Sequence, residues 1–118
     1  KLKPAILSGF LGGFFLFHSL IKQPLLNQML AKYLVKKGVD HLLIDLPSVD
    51  KERDGGELLA HKAFWNMSGK PRAKATITEF IYVPNPVEDG TYFLNLQVAP
   101  FENDASPSRP VLYKIENP

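Results

Sequence analysis

The stretch that most constrains the fold is residues 41–46, HLLIDL, a continuous apolar run with a single carboxylate, Asp45, inside it. A strand with one wet face alternates polar and apolar residues. A run without that alternation suits a strand covered on both faces, as in a parallel or mixed sheet. Pro47 ends the run, because it has no N–H to give to a ladder. Residues 48–56 then carry Asp50, Glu52 and Asp54 and close on the pair Gly55-Gly56, which is turn chemistry. Residues 57–65, ELLAHKAFW, contain good helix formers and no breaker. Leu58, His61 and Trp65 fall at i, i+3 and i+7, so a helix there carries them on one face. Strand, acidic loop and histidine-bearing helix form the unit around which the rest is arranged.

Upstream, residues 24–37 place Leu25, Leu26, Met29, Leu30, Tyr33 and Leu34 at helical spacing. Lys36 and Lys37 suit the negative end of the helix dipole, and Gly38 suits its C-terminal cap. A helix closing on a glycine and feeding a buried strand is an α/β arrangement. Downstream, residues 66–76 read as a loop, 77–83 and 92–99 as strands, 100–110 as a second long loop and 111–115 as a last short strand. The expected fold class is α/β: a mixed sheet with flanking helices, in which strands 77–83 and 92–99 lie beside 41–46. A chain of 118 residues supports one small domain.

Residues 4–21, PAILSGFLGGFFLFHSLI, stand apart as an apolar segment between Lys3 and Lys22. Three readings stay open: buried structure or a sticky interface, a membrane or export segment, and a segment foreign to the fold. A positive start followed by an apolar run resembles a signal peptide, but no small-x-small cleavage site follows. The run also falls short of the ~20 apolar residues of a spanning helix. Its apolar surface predicts a homo-oligomer or an aggregation-prone chain, with Phe10, Phe14, Phe15 and Phe17 in the contact. A net charge of +2, without a basic patch interleaved with aromatics, gives no nucleic-acid surface. The absence of cysteine rules out disulfides and thiolate zinc sites and is compatible with a cytoplasmic location.

His61 and Glu79 are the residues whose chemistry stands out. An imidazole and a carboxylate suit a divalent ion such as zinc or manganese if the helix and the strand pack side by side. The plainer alternative is a surface histidine and an exposed strand carboxylate. Asp45 sits where a lone carboxylate is costly. It serves either as a polar group near a site or, the favoured reading, as a cap on the turn at residues 47–50. Asp50, Lys51, Glu52 and Arg53 read as a solvated loop. His41 reads as a bystander, and His18 stands without a neighbouring ligand.

Three blocks, LLIDLPSVDKERDGGELLAHKAFW, ITEFIYVP and LNLQVAPFENDASPSRPVLY, resemble, in this order, the C-terminal half of the cyclase family of metal-dependent hydrolases. The kynurenine formamidases, or arylformamidases, belong to that family. The resemblance is carried by residues 31–113 and fails over about the first 30; it implies a division into an apolar segment, 1–22, that does not match the family and a family-like C-terminal region, 23–118. It implies half of a swivelling β/α fold, a small-molecule amide substrate, hydrolysis of C–N bonds of the arylformamide type, and a zinc or manganese ion. It implies His61 and Glu79 as metal ligands, with support from Asp45 and from the D-x-S-P-x-R loop carrying Asp104 and Arg109. Arg109 suits a paired clasp on Asp104 or a contact with substrate. The family's H-x-G-T-H-x-D ligand motif does not occur in these 118 residues. The resemblance therefore implies half a metal site, completed by another chain or a longer precursor. The alternative is a non-catalytic remnant or interaction module that keeps the α/β core.

Overall fold

The computed structural model describes residues 5–9, 12–17, 27–51, 53, 55–88 and 90–115, with side chains described from Asn27 onward. The elements run β1 (Ala5–Gly9), β2 (Gly12–Phe17), α1 (Gln28–Lys36), β3 (Val39–Ile44), α2 (Leu59–Phe64), β4 (Thr76–Thr78), β5 (Tyr92–Val98) and β6 (Ser108–Lys114). Strands β1 to β4 form one sheet in sequence order, and β5 and β6 form a second, two-stranded sheet. β1 is antiparallel to β2, whereas β2, β3 and β4 run parallel. Parallel neighbours need long crossovers, and these contain α1, before β3 in the chain, and α2, after it.

β3 is covered on both faces, as its apolar run requires. Leu42 and Ile44 pack into one cluster with Ala31 and Leu34 of α1, Ala60 and Phe64 of α2, and Val49. Leu43 points the other way, against Val83 and Tyr92, with Leu94 and Leu112 of the β5–β6 pair beside them. The order is helices, sheet, hairpin. Burying a side chain such as Phe64, which has no exposed surface, contributes about 1.5–3 kcal/mol.

Local chemistry sets the element ends. Asn27 caps α1, its side chain accepting the Leu30 N–H at 3.0 Å, and Gly38 leaves the helix at φ +77, a conformation glycine adopts without a Cβ clash. α2 is shorter than residues 57–65, because Leu58 stands before it in a left-handed conformation at φ 51, 45% exposed. Leu58 therefore does not share a buried face with His61 and Trp65.

Two expected strands differ. The strand at 77–83 shortens to β4, since Phe80 takes φ +56 and turns the chain out of the ladder. Phe80 N–H then donates to Leu46 O and Ile81 N–H to Ile44 O. The strand at 92–99 does not pair beside 41–46. It forms β5, paired with β6, whose first residues lie inside the expected loop 100–110. The apolar segment 4–21 supplies the backbone of β1 and β2, in the same sheet as β3. Phe10 and His18 lie outside the described residues, as do the side chains of Phe14, Phe15 and Phe17. Among the described residues no helix is long and apolar enough to cross a membrane.

Candidate functional site

The parallel strands end on one edge of the sheet, where open α/β folds present their functional groups. After β3 the chain passes through Ser48, Val49 and Asp50, and after β4 it reaches Glu79. α2 begins beside them and presents His61. Three segments far apart in sequence thus meet.

Asp50 is the hub. It is 8% exposed. Its Oδ1 accepts the Ala60 N–H at 2.7 Å, and its Oδ2 accepts the His61 N–H at 3.2 Å. The same Oδ2 lies 2.6 Å from His61 Nδ1. α2 has no side-chain cap from its own Leu58, so a carboxylate arriving from the preceding loop satisfies its first N–H groups instead. Burial works against the charge on Asp50. The hydrogen bond from the His61 ring, the Ala60 and His61 backbone N–H groups and the attraction of the ring outweigh it, and the carboxyl is held below its ordinary range.

An ionised carboxylate only accepts hydrogen bonds. His61 Nδ1 therefore carries a hydrogen toward Asp50, and in the neutral ring Nε2 carries a lone pair. That nitrogen faces Glu79 Oε1 at 3.5 Å. Glu79 is held in turn by the Val49 N–H, which donates to Oε1 at 2.9 Å. A lone pair and a carboxylate repel unless a cation, a proton or a metal, sits between them. The 3.5 Å gap is longer than the ~2.7–2.9 Å of a charge-assisted hydrogen bond. It is close to the ~3.4 Å separating two donors that bind a tetrahedral ion through ~2.1 Å bonds.

The pair opens onto a cleft of about 870 Å³ bordered by Trp65, Phe80, Asp104 and Arg109 as well as His61 and Glu79. Trp65 stacks at a tilt on the His61 ring with centroids 5.3 Å apart, and its Nε1–H donates to Ala75 O at 3.1 Å. Phe80 is 75% exposed.

Of the residues singled out from the sequence, His61 and Glu79 converge, and the reading of both as unrelated surface groups is corrected. Asp50, read as part of a solvated loop, is instead buried at the centre. Asp45 is half-buried just beyond β3, but the turn N–H groups of Val49 and Asp50 go to Glu79 and to Ser48 Oγ. Asp104 and Arg109 line the same cleft and form no ion pair with each other. Both are exposed, where such a pair gains little. Their loop is closed by Ser106 Oγ–H donating to Ala99 O at 2.7 Å and by Ala99 N–H donating to Pro107 O. His41 Nδ1 pairs with Thr76 Oγ1 at 2.9 Å across β3 and β4, a structural contact. Among the described residues no three His, Asp or Glu side chains are grouped to hold a metal ion. No local cue in the sequence pointed to Asp50, because Leu58 stands at the cap position only through its left-handed backbone.

No model of a protein family, no curated protein and no solved structure matches this chain. The fold and site define an α/β domain with a carboxylate–histidine–carboxylate array at the strand ends.

Proposed function

We propose that this chain carries part of the metal centre of a hydrolase that acts on C–N bonds of the arylformamide type, the reading implied by its resemblance to the cyclase family. The observation that carries it is the approach of His61 Nε2 to Glu79 Oε1 at 3.5 Å, with Nδ1 held by Asp50. A histidine ligand whose second ring nitrogen binds a carboxylate is the usual arrangement at metal sites. An imidazole nitrogen and a carboxylate oxygen suit zinc or manganese. His61 and Glu79 would hold the ion. Bound there, it would supply the Lewis acidity that turns water into a nucleophile near neutral pH. The chain's own part is to fix the two donors and to offer substrate the adjoining cleft.

Two donors bind zinc weakly, and a catalytic site needs a third. The second reading is a non-catalytic module that retains the α/β core, with which the approach of only two donors, His61 and Glu79, is equally compatible. Titration of the metal-free chain with Zn²⁺ and with Mn²⁺, by calorimetry, separates the two. The hydrolase reading expects weak binding, lost in His61→Ala and in Glu79→Ala, and little hydrolysis of an arylformamide by the chain alone. No binding by the unaltered chain, or binding indifferent to both substitutions, would overturn it.

A further inference from the structure

We infer that Asp50 is a positioning residue of this site: it locks the His61 ring as the Nδ1–H tautomer and seats the first turn of α2, so that the Nε2 lone pair points at Glu79. The metal-binding part of this inference rests on the proposed hydrolase function, whereas the tautomer does not. One carboxylate makes both connections. Oδ1 takes the Ala60 N–H, and Oδ2 takes the His61 N–H together with the His61 ring. Helix position and ring orientation are thereby set by the same buried group. Glu79 has no equivalent hold on the ring, since its Oε1 stands 3.5 Å from Nε2 while accepting the Val49 N–H. The tautomer is thus decided at the Asp50 side.

The informative variant is Asp50→Asn. Asp50→Ala also strips the helix of its cap and risks unfolding. An asparagine in the same place keeps its amide oxygen on the Ala60 N–H, the shorter of the two backbone bonds at 2.7 Å, and gives up the 3.2 Å bond from the His61 N–H. The NH₂ then stands where Oδ2 was and donates to Nδ1. The ring is expected to reverse to the Nε2–H form, aiming a hydrogen rather than a lone pair at Glu79. Long-range ¹H–¹⁵N spectra of the whole, metal-free chain read this directly. In the unaltered protein the neutral ring is expected to show Nδ1 as protonated and Nε2 as the bare nitrogen, and in Asp50→Asn the two exchange. Zn²⁺ affinity by calorimetry is expected to fall about 10- to 100-fold, with Asp50→Glu recovering part of it.

An Nε2–H tautomer in the unaltered protein, or no exchange in folded Asp50→Asn, overturns the inference. So does a reversed tautomer with unchanged Zn²⁺ affinity. If the unaltered chain binds no Zn²⁺, the metal reading fails and the spectra alone decide the role of Asp50.

Discussion

Asp50 and Phe80 show two ways in which a single residue shapes this site. Asp50→Ala leaves the Ala60 and His61 N–H groups and the His61 ring without their acceptor. A lost cap and a lost buried hydrogen bond together cost about 2–3 kcal/mol, measurable as a lower midpoint in urea unfolding. The depressed carboxyl also sets a pH dependence. Its folded value lies below the ordinary 3.8, so its ionic contribution is complete above that value and is lost as pH falls through the folded one. The advantage of the metal-free wild type over Asp50→Asn is expected to hold down to about pH 4 and to shrink below it. Phe80 sits at φ +56 with its ring largely in solvent. Phe80→Gly relieves a left-handed strain of about 1–2 kcal/mol and adds unfolded-state freedom worth about 0.5–1 kcal/mol. It is expected to be neutral to slightly stabilising. A clear loss of stability would mean that the ring makes contacts the fold depends on.

Neither residue's role was legible from its neighbours. Asp50 is followed by Lys51 and Glu52 and reads as one more solvated charge. Nothing in the side chain of Phe80 announces a left-handed backbone, so Glu79 was placed on a strand that in fact ends one residue earlier, at Thr78.

Among elements, β3 was the most legible, since a strand covered on both faces has to be apolar throughout. Leu42→Ala and Leu43→Ala open cavities on opposite faces of the sheet, beneath the helices and beneath the hairpin, and each is expected to cost about 2–5 kcal/mol in denaturant unfolding. α1 was legible from its spacing and its closing glycine, which are local signals. The partner of β5 was not, because residues 92–99 carry a strand pattern that does not encode which neighbour it pairs with. Arg72 was missed for a similar reason. It joins the end of α2 to the start of β3 by donating to Phe64 O at 2.8 Å, to Val39 O at 2.6 Å and to Asp40 Oδ1 at 2.8 Å, while its guanidinium lies over the Phe64 ring. Lysine cannot reproduce that fork. Arg72→Lys is expected to lose about 1–3 kcal/mol, and an unchanged unfolding midpoint would show the contacts to be incidental.

At the scale of the whole molecule, the segment 51–57 bridges two anchored ends, and each of its described residues is exposed. The part of the chain before this bridge contributes β1, β2, α1 and β3, and the part after it contributes α2, β4, β5 and β6. Both core clusters draw side chains from the two sides of the bridge, and β3 pairs with β4 across it. The bridge is therefore dispensable as a covalent link once the chain has folded. Exposed segments of this kind are where proteases nick and where insertions are tolerated. Trypsin has two targets there, Lys51 and Arg53, both exposed. A single cut is expected to leave two peptides that travel together on a gel-filtration column and separate only in denaturant. Expressed as two pieces divided after Arg53, the chain is expected to reassemble, with neither half folding alone. The junction that divides the protein most cleanly into complementing halves is then the loop whose first residue after Asp50 is Lys51, one position from the carboxylate that draws the two halves together.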